Sequence, residues 1–263
     1  MRVLALDFDG VIADSAPEAY VVSLRTFAAL RPRSPLAAHA SKLDGATAPT
    51  DAAVRASPLY APFVEAMPLG NRAEDYAVIL RALEAGTPPP DQASYDVLRG
   101  AESPAWLDHF HTRFYAERDS LAASDPEGWS ALMPAYPGVL HVLRRRAADA
   151  ALAIATAKDA RSVAALLARY GVAELFRAGL VLDKETGPSK TAHLEALHAR
   201  TGVPFAEITF VDDKVNHLDR VAPLGVRCVL AAWGYNGPRE RELARERGHL
   251  VCRLEDVEQK LYG

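Results

Sequence analysis

The chain opens with four apolar residues, Val3-Leu4-Ala5-Leu6, that run straight into Asp7-Phe8-Asp9-Gly10. A run so short and so wholly apolar, ended by acids and a glycine, reads as a strand buried on both faces that stops at a turn. Strands of that kind belong to parallel sheets covered by helices, so this opening alone limits the chain to α/β architectures. The same grammar returns after residue 150. Ala151 to Ala155 is apolar, Asp159 is placed to cap a helix, and Val163, Leu166, Leu167 and Tyr170 recur at helical spacing before Gly171. Ala178 to Leu182, a helix near Pro188 to Arg200, Ile208 to Val211, a helix near Asn216 to Pro223, and Arg227 to Ala231 continue the alternation. The pattern predicts a Rossmann-like, doubly wound parallel sheet.

Between about Asp14 and Ala135 no strand pattern is found and helical periodicity dominates. Tyr76, Ile79, Leu80 and Leu83 form one stripe and Leu107, Phe110, Phe114 and Leu121 another, with proline-rich breaks at 32–35, 88–90 and 134–137. We read this segment as an all-helical domain inserted after the first strand. The core then comprises residues 1–15 and 136–263, and the insertion residues 16–135. Aromatic stripes at helical spacing are read as core rather than as a ligand site.

The strand ends carry the chemistry. By strand alternation Asp7 and Asp9 share a face and reach the crevice beyond the sheet. Two carboxylates so close repel one another unless a cation or a shared proton lies between them, and magnesium suits such a pair when a substrate phosphate completes its ligands. Asp212-Asp213 is a second acidic pair after a second apolar run. Thr156, after a third, offers a hydroxyl followed by the backbone amides that open a helix, where anions are favoured. Lys190 begins the next helix and brings a compact positive charge.

In this order the four segments resemble the motifs of the haloacid dehalogenase superfamily. Asp7-Phe8-Asp9-Gly10-Val11-Ile12 is similar to its first motif, Thr156-Ala157-Lys158 to its second, Lys190 to its third and Val211-Asp212-Asp213 to its fourth. By position, the insertion resembles the type 1 helical cap of the phosphoglycolate phosphatase-like subgroup. Two departures stand out. Lys190 follows Gly187-Pro188-Ser189 where a Lys-Pro pair is more usual, which leaves Lys184 as a lesser candidate, and His217 stands where an acidic or amide residue is commoner.

The resemblance implies a magnesium-dependent phosphatase acting on a small phosphorylated metabolite through an aspartyl-phosphate. Asp7 is then the nucleophile and Asp9 the acid and base, with Thr156, the Ala157 amide and Lys190 on the phosphoryl oxygens. It places Mg2+ on Asp7, the Asp9 backbone carbonyl and Asp213, with Asp212 further out. Asp9 argues against the dehalogenating and phosphonate-cleaving members. A phosphomutase and a non-catalytic phosphate-binding protein stay open as alternatives. In the cap, Arg72 is a candidate to grip a second anionic group on the substrate.

Composition narrows the partners. The net charge of −4 and pI near 6.1 give no sequence-wide attraction to nucleic acid or anionic membrane. Cys228 and Cys252 are too few for a disulfide framework and too far apart for a zinc site. No apolar stretch reaches membrane-spanning length. A cytoplasmic protein with two reduced core thiols is expected; oligomeric state is not legible.

Overall fold

The computed structural model describes residues 1–43, 45, 47–70 and 72–263, and of residue 178 the backbone alone. The chain forms two compact units, Met1–Asp14 with Ala135–Gly263, and Ser15–Pro134.

In the first unit the strands are β1 (Val3–Leu6), β2 (Ala151–Ala155), β3 (Phe176–Leu182), β4 (Ile208–Asp212), β5 (Arg227–Ala231) and β6 (Leu250–Cys252). Among the described residues they make one sheet in the order β3-β2-β1-β4-β5-β6, with every neighbouring pair parallel. All four residues of β1 are essentially inaccessible, as expected of a central strand covered on both faces. Val3 and Ala5 share a cluster with Ala153, Phe210, Leu194, Leu197, Leu218 and Val221, so the helices Lys190–Thr201 and Val215–Val221 cover that face. The chain winds outward from β1 through β2 to β3, then crosses to β4 on the other side of β1 and continues to β6. Such a reversal of winding opens a crevice at the carboxyl ends of the central strands, where ligands bind in open α/β sheets. Asp7 follows β1 and Asp212 ends β4.

Several details depart from the sequence expectation. β3 starts two residues earlier than Ala178, and β6 was not anticipated. β1 ends at Leu6, so strand alternation does not extend to Asp9. What brings Asp9 round is a tight turn, in which the amides of Ile12 and Ala13 donate to the Phe8 carbonyl and the Gly10 amide donates to Ala13. Gly10 adopts φ +80°, which glycine tolerates without the Cβ penalty. Cys228 and Cys252 are both buried and unpaired, and burial pushes both thiols up to about 11.

Among its described residues the second unit contains helices joined by loops and no strand. Ala16–Leu30 and Ala73–Glu84 both pack on Pro104–Ser124. Leu107, Phe110, Phe114 and Leu121 are buried along the last of these. In Ala73–Glu84 the burial is broader than one stripe: Ala77 and Val78 are buried as fully as Ile79 and Leu80, while Tyr76 and Leu83 are only half-buried. At the centre of the unit Glu18 is fully buried, accepting two hydrogen bonds from Arg118 at 2.6 and 2.7 Å and one from the Trp129 indole at 3.2 Å. A buried carboxylate is tolerated only when paired and hydrogen-bonded in this way. No described helix is long and apolar enough to cross a membrane.

Candidate active site

Asp7 extends the line of β1 by donating its amide to the Val211 carbonyl at 2.9 Å. Its Oδ1 accepts the Phe8 amide at 2.7 Å and lies 2.7 Å from Lys190 Nζ. Lys190 is the first residue of its helix, whose N-cap Ser189 accepts the Ala192 amide. Its ammonium group, 7% exposed, also donates to the Ala155 carbonyl at 2.7 Å and lies 3.4 Å from Asp212 Oδ2. Three strands thus meet on one cation: β1 through Asp7, β2 through Ala155 and β4 through Asp212. Lys184, the other candidate, is 54% exposed beside Glu185.

Asp212 is fully buried and crowded with donors. Oδ1 accepts the Lys214 amide at 2.9 Å, and His217 Nδ1 sits 3.1 and 3.0 Å from its two oxygens. Burial alone would raise its proton affinity, but His217, Lys190 and the Lys214 amide together hold this carboxyl well below the usual range. The unusual histidine therefore has a definite job in the fold, as a donor to Asp212.

Asp213, 1% exposed, accepts the Tyr235 amide at Oδ2 (2.9 Å). Asn236 Nδ2 donates to the Asp213 carbonyl at 3.1 Å and to Ala231 at 2.8 Å, so the loop after β5 wraps this residue. Two glycines make the room. A Cβ on Gly10 would lie 2.5 Å from Asp213 Oδ2, and one on Gly234 would lie 2.4 Å from Asp213 Cβ and from the Gly10 carbonyl. Gly234, Tyr235 and Asn236 were not picked out from the sequence; their only signal there is a Gly-Tyr-Asn-Gly turn after an apolar run.

Thr156 is buried after β2, its amide bonded to the Leu182 carbonyl and its hydroxyl accepting the Lys158 amide at 3.1 Å. Ala157 follows it at the start of the same loop. Lys158 Nζ, 4% exposed, lies 3.2 Å from Asp9 Oδ1. Asp9 itself is one-third exposed. Arg72, in the helical unit, precedes the helix Ala73–Glu84 and donates its amide to Asp75 at 2.9 Å. Its guanidinium is 74% exposed and 3.9 Å from Glu74.

The carboxylates Asp7, Asp9, Asp212 and Asp213 face the ammonium groups of Lys158 and Lys190, and Lys214 also acts on Asp213. The imbalance falls on two of them. Burial, with Asp212 nearby, raises Asp7 to about 6 despite Lys190, and burial and Asp212 raise Asp213 well above the ordinary carboxylate range. A divalent cation with oxygen ligands fits this donor set, because it would offset the charge that the lysines leave uncompensated. Asp7, Asp212 and His217 also present ligand atoms within 4.8 Å of one another. We do not read that trio as a metal cage, because Asp212 is saturated by His217, Lys190 and the Lys214 amide.

Comparison with known proteins identifies the family and the fold. The family described as haloacid dehalogenase-like hydrolase matches residues 1–219. Human magnesium-dependent phosphatase 1 is 32% identical over 135 residues, 51% of this chain and 73% of that protein. Among solved structures, a predicted phosphoglycolate phosphatase of Haemophilus somnus 129pt superposes with a TM-score of 0.63 at 17% identity, over 99% of this chain and 97% of the other. A haloacid dehalogenase-like family protein of Streptococcus pneumoniae gives 0.62 at 13%, over 99% and 98%. At these identities the two structures speak for the fold alone.

Proposed function

Because the chain belongs to the haloacid dehalogenase-like hydrolase family, we propose that it is a magnesium-dependent phosphatase that hydrolyses a small phosphate monoester through phosphorylated Asp7. The observation that carries this reading is the Asp7 carboxyl group just past the C-terminal end of the central strand, 2.7 Å from a buried lysine that also lies 3.4 Å from Asp212. Phosphoryl transfer needs positioning and charge neutralisation more than covalent chemistry from the protein, and this arrangement supplies both.

Asp7 attacks phosphorus in line, splitting one difficult hydrolysis into two easier steps. Asp9 gives a proton to the departing oxygen and later takes one from the water that cleaves the aspartyl-phosphate. Thr156 Oγ1 and the Ala157 amide hold phosphoryl oxygens, and Lys190 neutralises them. Asp7, the Asp9 backbone carbonyl and Asp213 would hold Mg2+, with Asp212 outside them orienting Lys190; the ion supplies positive charge to the phosphoryl oxygens. Arg72 is proposed as a contact for an anionic group of the substrate.

The relatives named as phosphatases support this reading, including the human magnesium-dependent enzyme. A phosphate-release screen over small phosphorylated metabolites, with Mg2+ and with EDTA, tests it. Release with Mg2+ and none in EDTA is expected. Isomerisation of a sugar phosphate without net phosphate release would replace the phosphatase by a mutase, and binding without turnover would remove the enzyme altogether.

A further inference from the structure

We infer that Lys158 is a positioning residue for the acid and base Asp9, fixing which of its two oxygens exchanges the proton; this rests on the phosphatase reading above. Lys158 Nζ lies 3.2 Å from Asp9 Oδ1, and its side chain is only 4% exposed. Removing an ammonium group from water is costly unless a partner offsets it, and the Asp9 carboxyl group is such a partner for this lysine. Its backbone is fixed as well: the Lys158 amide donates to Thr156 Oγ1 at 3.1 Å, which ties the ammonium group to the loop proposed to hold the phosphoryl oxygens.

The direction of that contact decides the chemistry. An ammonium group donates and cannot accept, so a carboxyl proton cannot lie between Asp9 Oδ1 and Lys158. The exchangeable proton is directed to Oδ2. In the first step the Asp7 carboxylate forms a bond to phosphorus, the bond from phosphorus to the leaving oxygen breaks, and the proton on Asp9 Oδ2 moves to that oxygen. Lys158 then faces the new Asp9 carboxylate. In the second step water forms the bond to phosphorus, the bond to Asp7 breaks, and a water proton returns to Oδ2. Without Lys158, Oδ1 loses the ammonium group that distinguishes it from Oδ2.

The leaving group provides the test, since an alkoxide needs the proton and p-nitrophenolate does not. kcat/KM, which reports on the steps up to formation of the aspartyl-phosphate, is measured for an alkyl phosphate and for p-nitrophenyl phosphate in wild type, Lys158→Met and Lys158→Arg. Lys158→Met is expected to lose on the order of 100-fold with the alkyl phosphate and only a few-fold with p-nitrophenyl phosphate, with Lys158→Arg restoring most of the difference. Equal losses with both substrates would overturn the inference alone, because a lysine that merely bound phosphate or supported the fold would not sense the leaving group. No loss with either would overturn it too. A wild type that releases phosphate from neither overturns the phosphatase reading along with it. If Lys158→Met fails to fold, Lys158→Gln takes its place: a loss confined to the alkyl phosphate is expected, and equal losses with both substrates reject the idea.

Discussion

Replacing Lys190 by methionine keeps most of the side-chain volume and deletes an ammonium group shared by Asp7 and Asp212. Removing one partner of a buried ion pair generally costs about 3–5 kcal/mol, since the other charge is left without compensation. Here the cost depends on pH in a calculable way. Asp7 already stands at about 6 in the folded protein against an ordinary 3.8. A carboxyl group raised on folding withdraws stability as pH rises from its ordinary value to its folded value, at about 1.4 kcal/mol per pH unit, and no further above that. In wild type this loss ends near pH 6. In Lys190→Met the folded value moves higher, so the loss continues beyond it. The difference in stability between the two proteins is therefore expected to be present already at pH 5, where charged Asp212 has lost a partner, and to widen to about 3–5 kcal/mol by pH 8 as Asp7 is affected too. Activity follows the same proton: a neutral Asp7 is no nucleophile, and turnover at neutral pH should fall by about 10²–10³. Urea unfolding and phosphate release measured across this pH range read both effects. Lys184→Ala, on an exposed side chain, is the control and should stay within ~0.5 kcal/mol of wild type. A stability loss independent of pH, or turnover within about fivefold of wild type, would refute the reasoning.

Three further outcomes follow from the same geometry. Gly234→Ala forces a methyl group to 2.4 Å from Asp213 Cβ, and should cost about 1–3 kcal/mol while raising the Mg2+ concentration needed for half-maximal activity; an unchanged Mg2+ requirement would detach Asp213 from the metal. Mg2+ should raise the melting temperature, and more so above pH 6 than below it, because protons on Asp7 and Asp213 compete with the ion; differential scanning calorimetry at the two pH values checks this, and an equal shift at both would contradict it. Arg72→Ala is expected to re-rank natural substrates while leaving p-nitrophenyl phosphate turnover within a few-fold; an unchanged ranking in the metabolite screen would remove its proposed role.

The parallel core was legible because strands buried on both faces must be apolar throughout, and β1, β2 and β4 are short runs of that kind. β6 escaped because three residues cannot show a period; it is a strand only because Val229 to Ala231 pair with it. In the sequence of the helix Ala73–Glu84, Tyr76, Ile79, Leu80 and Leu83 form one apolar stripe. Neighbours on more than one side bury Ala77 and Val78 too, which no single stripe describes. At the site, Asp7, Asp212 and Lys190 could be picked out because each stands at a strand end or helix start, a position the sequence marks. For Asp9 the expectation of a shared strand face gave way to a turn that depends on Gly10. Lys158 stands in the second motif and Gly234, Tyr235 and Asn236 in a Gly-Tyr-Asn-Gly turn, but their contacts with Asp9 or Asp213 are made across the tertiary fold and are not legible from either pattern. His217 was visible as a departure, but its hydrogen bonds to Asp212 belong to the fold.

The proposed covalent role of Asp7 is tested most directly by trapping phosphate on it in Asp9→Asn, which preserves shape and removes the proton exchange proposed for Asp9. With p-nitrophenyl phosphate the leaving group departs unaided, so the first step proceeds, while hydrolysis of the aspartyl-phosphate lacks its base. Rapid quench should show a burst of p-nitrophenol near one equivalent, and mass spectrometry an acid-stable, hydroxylamine-sensitive phosphate on Asp7. With wild type turning over normally, the absence of both burst and phosphorylated Asp7 would contradict the account.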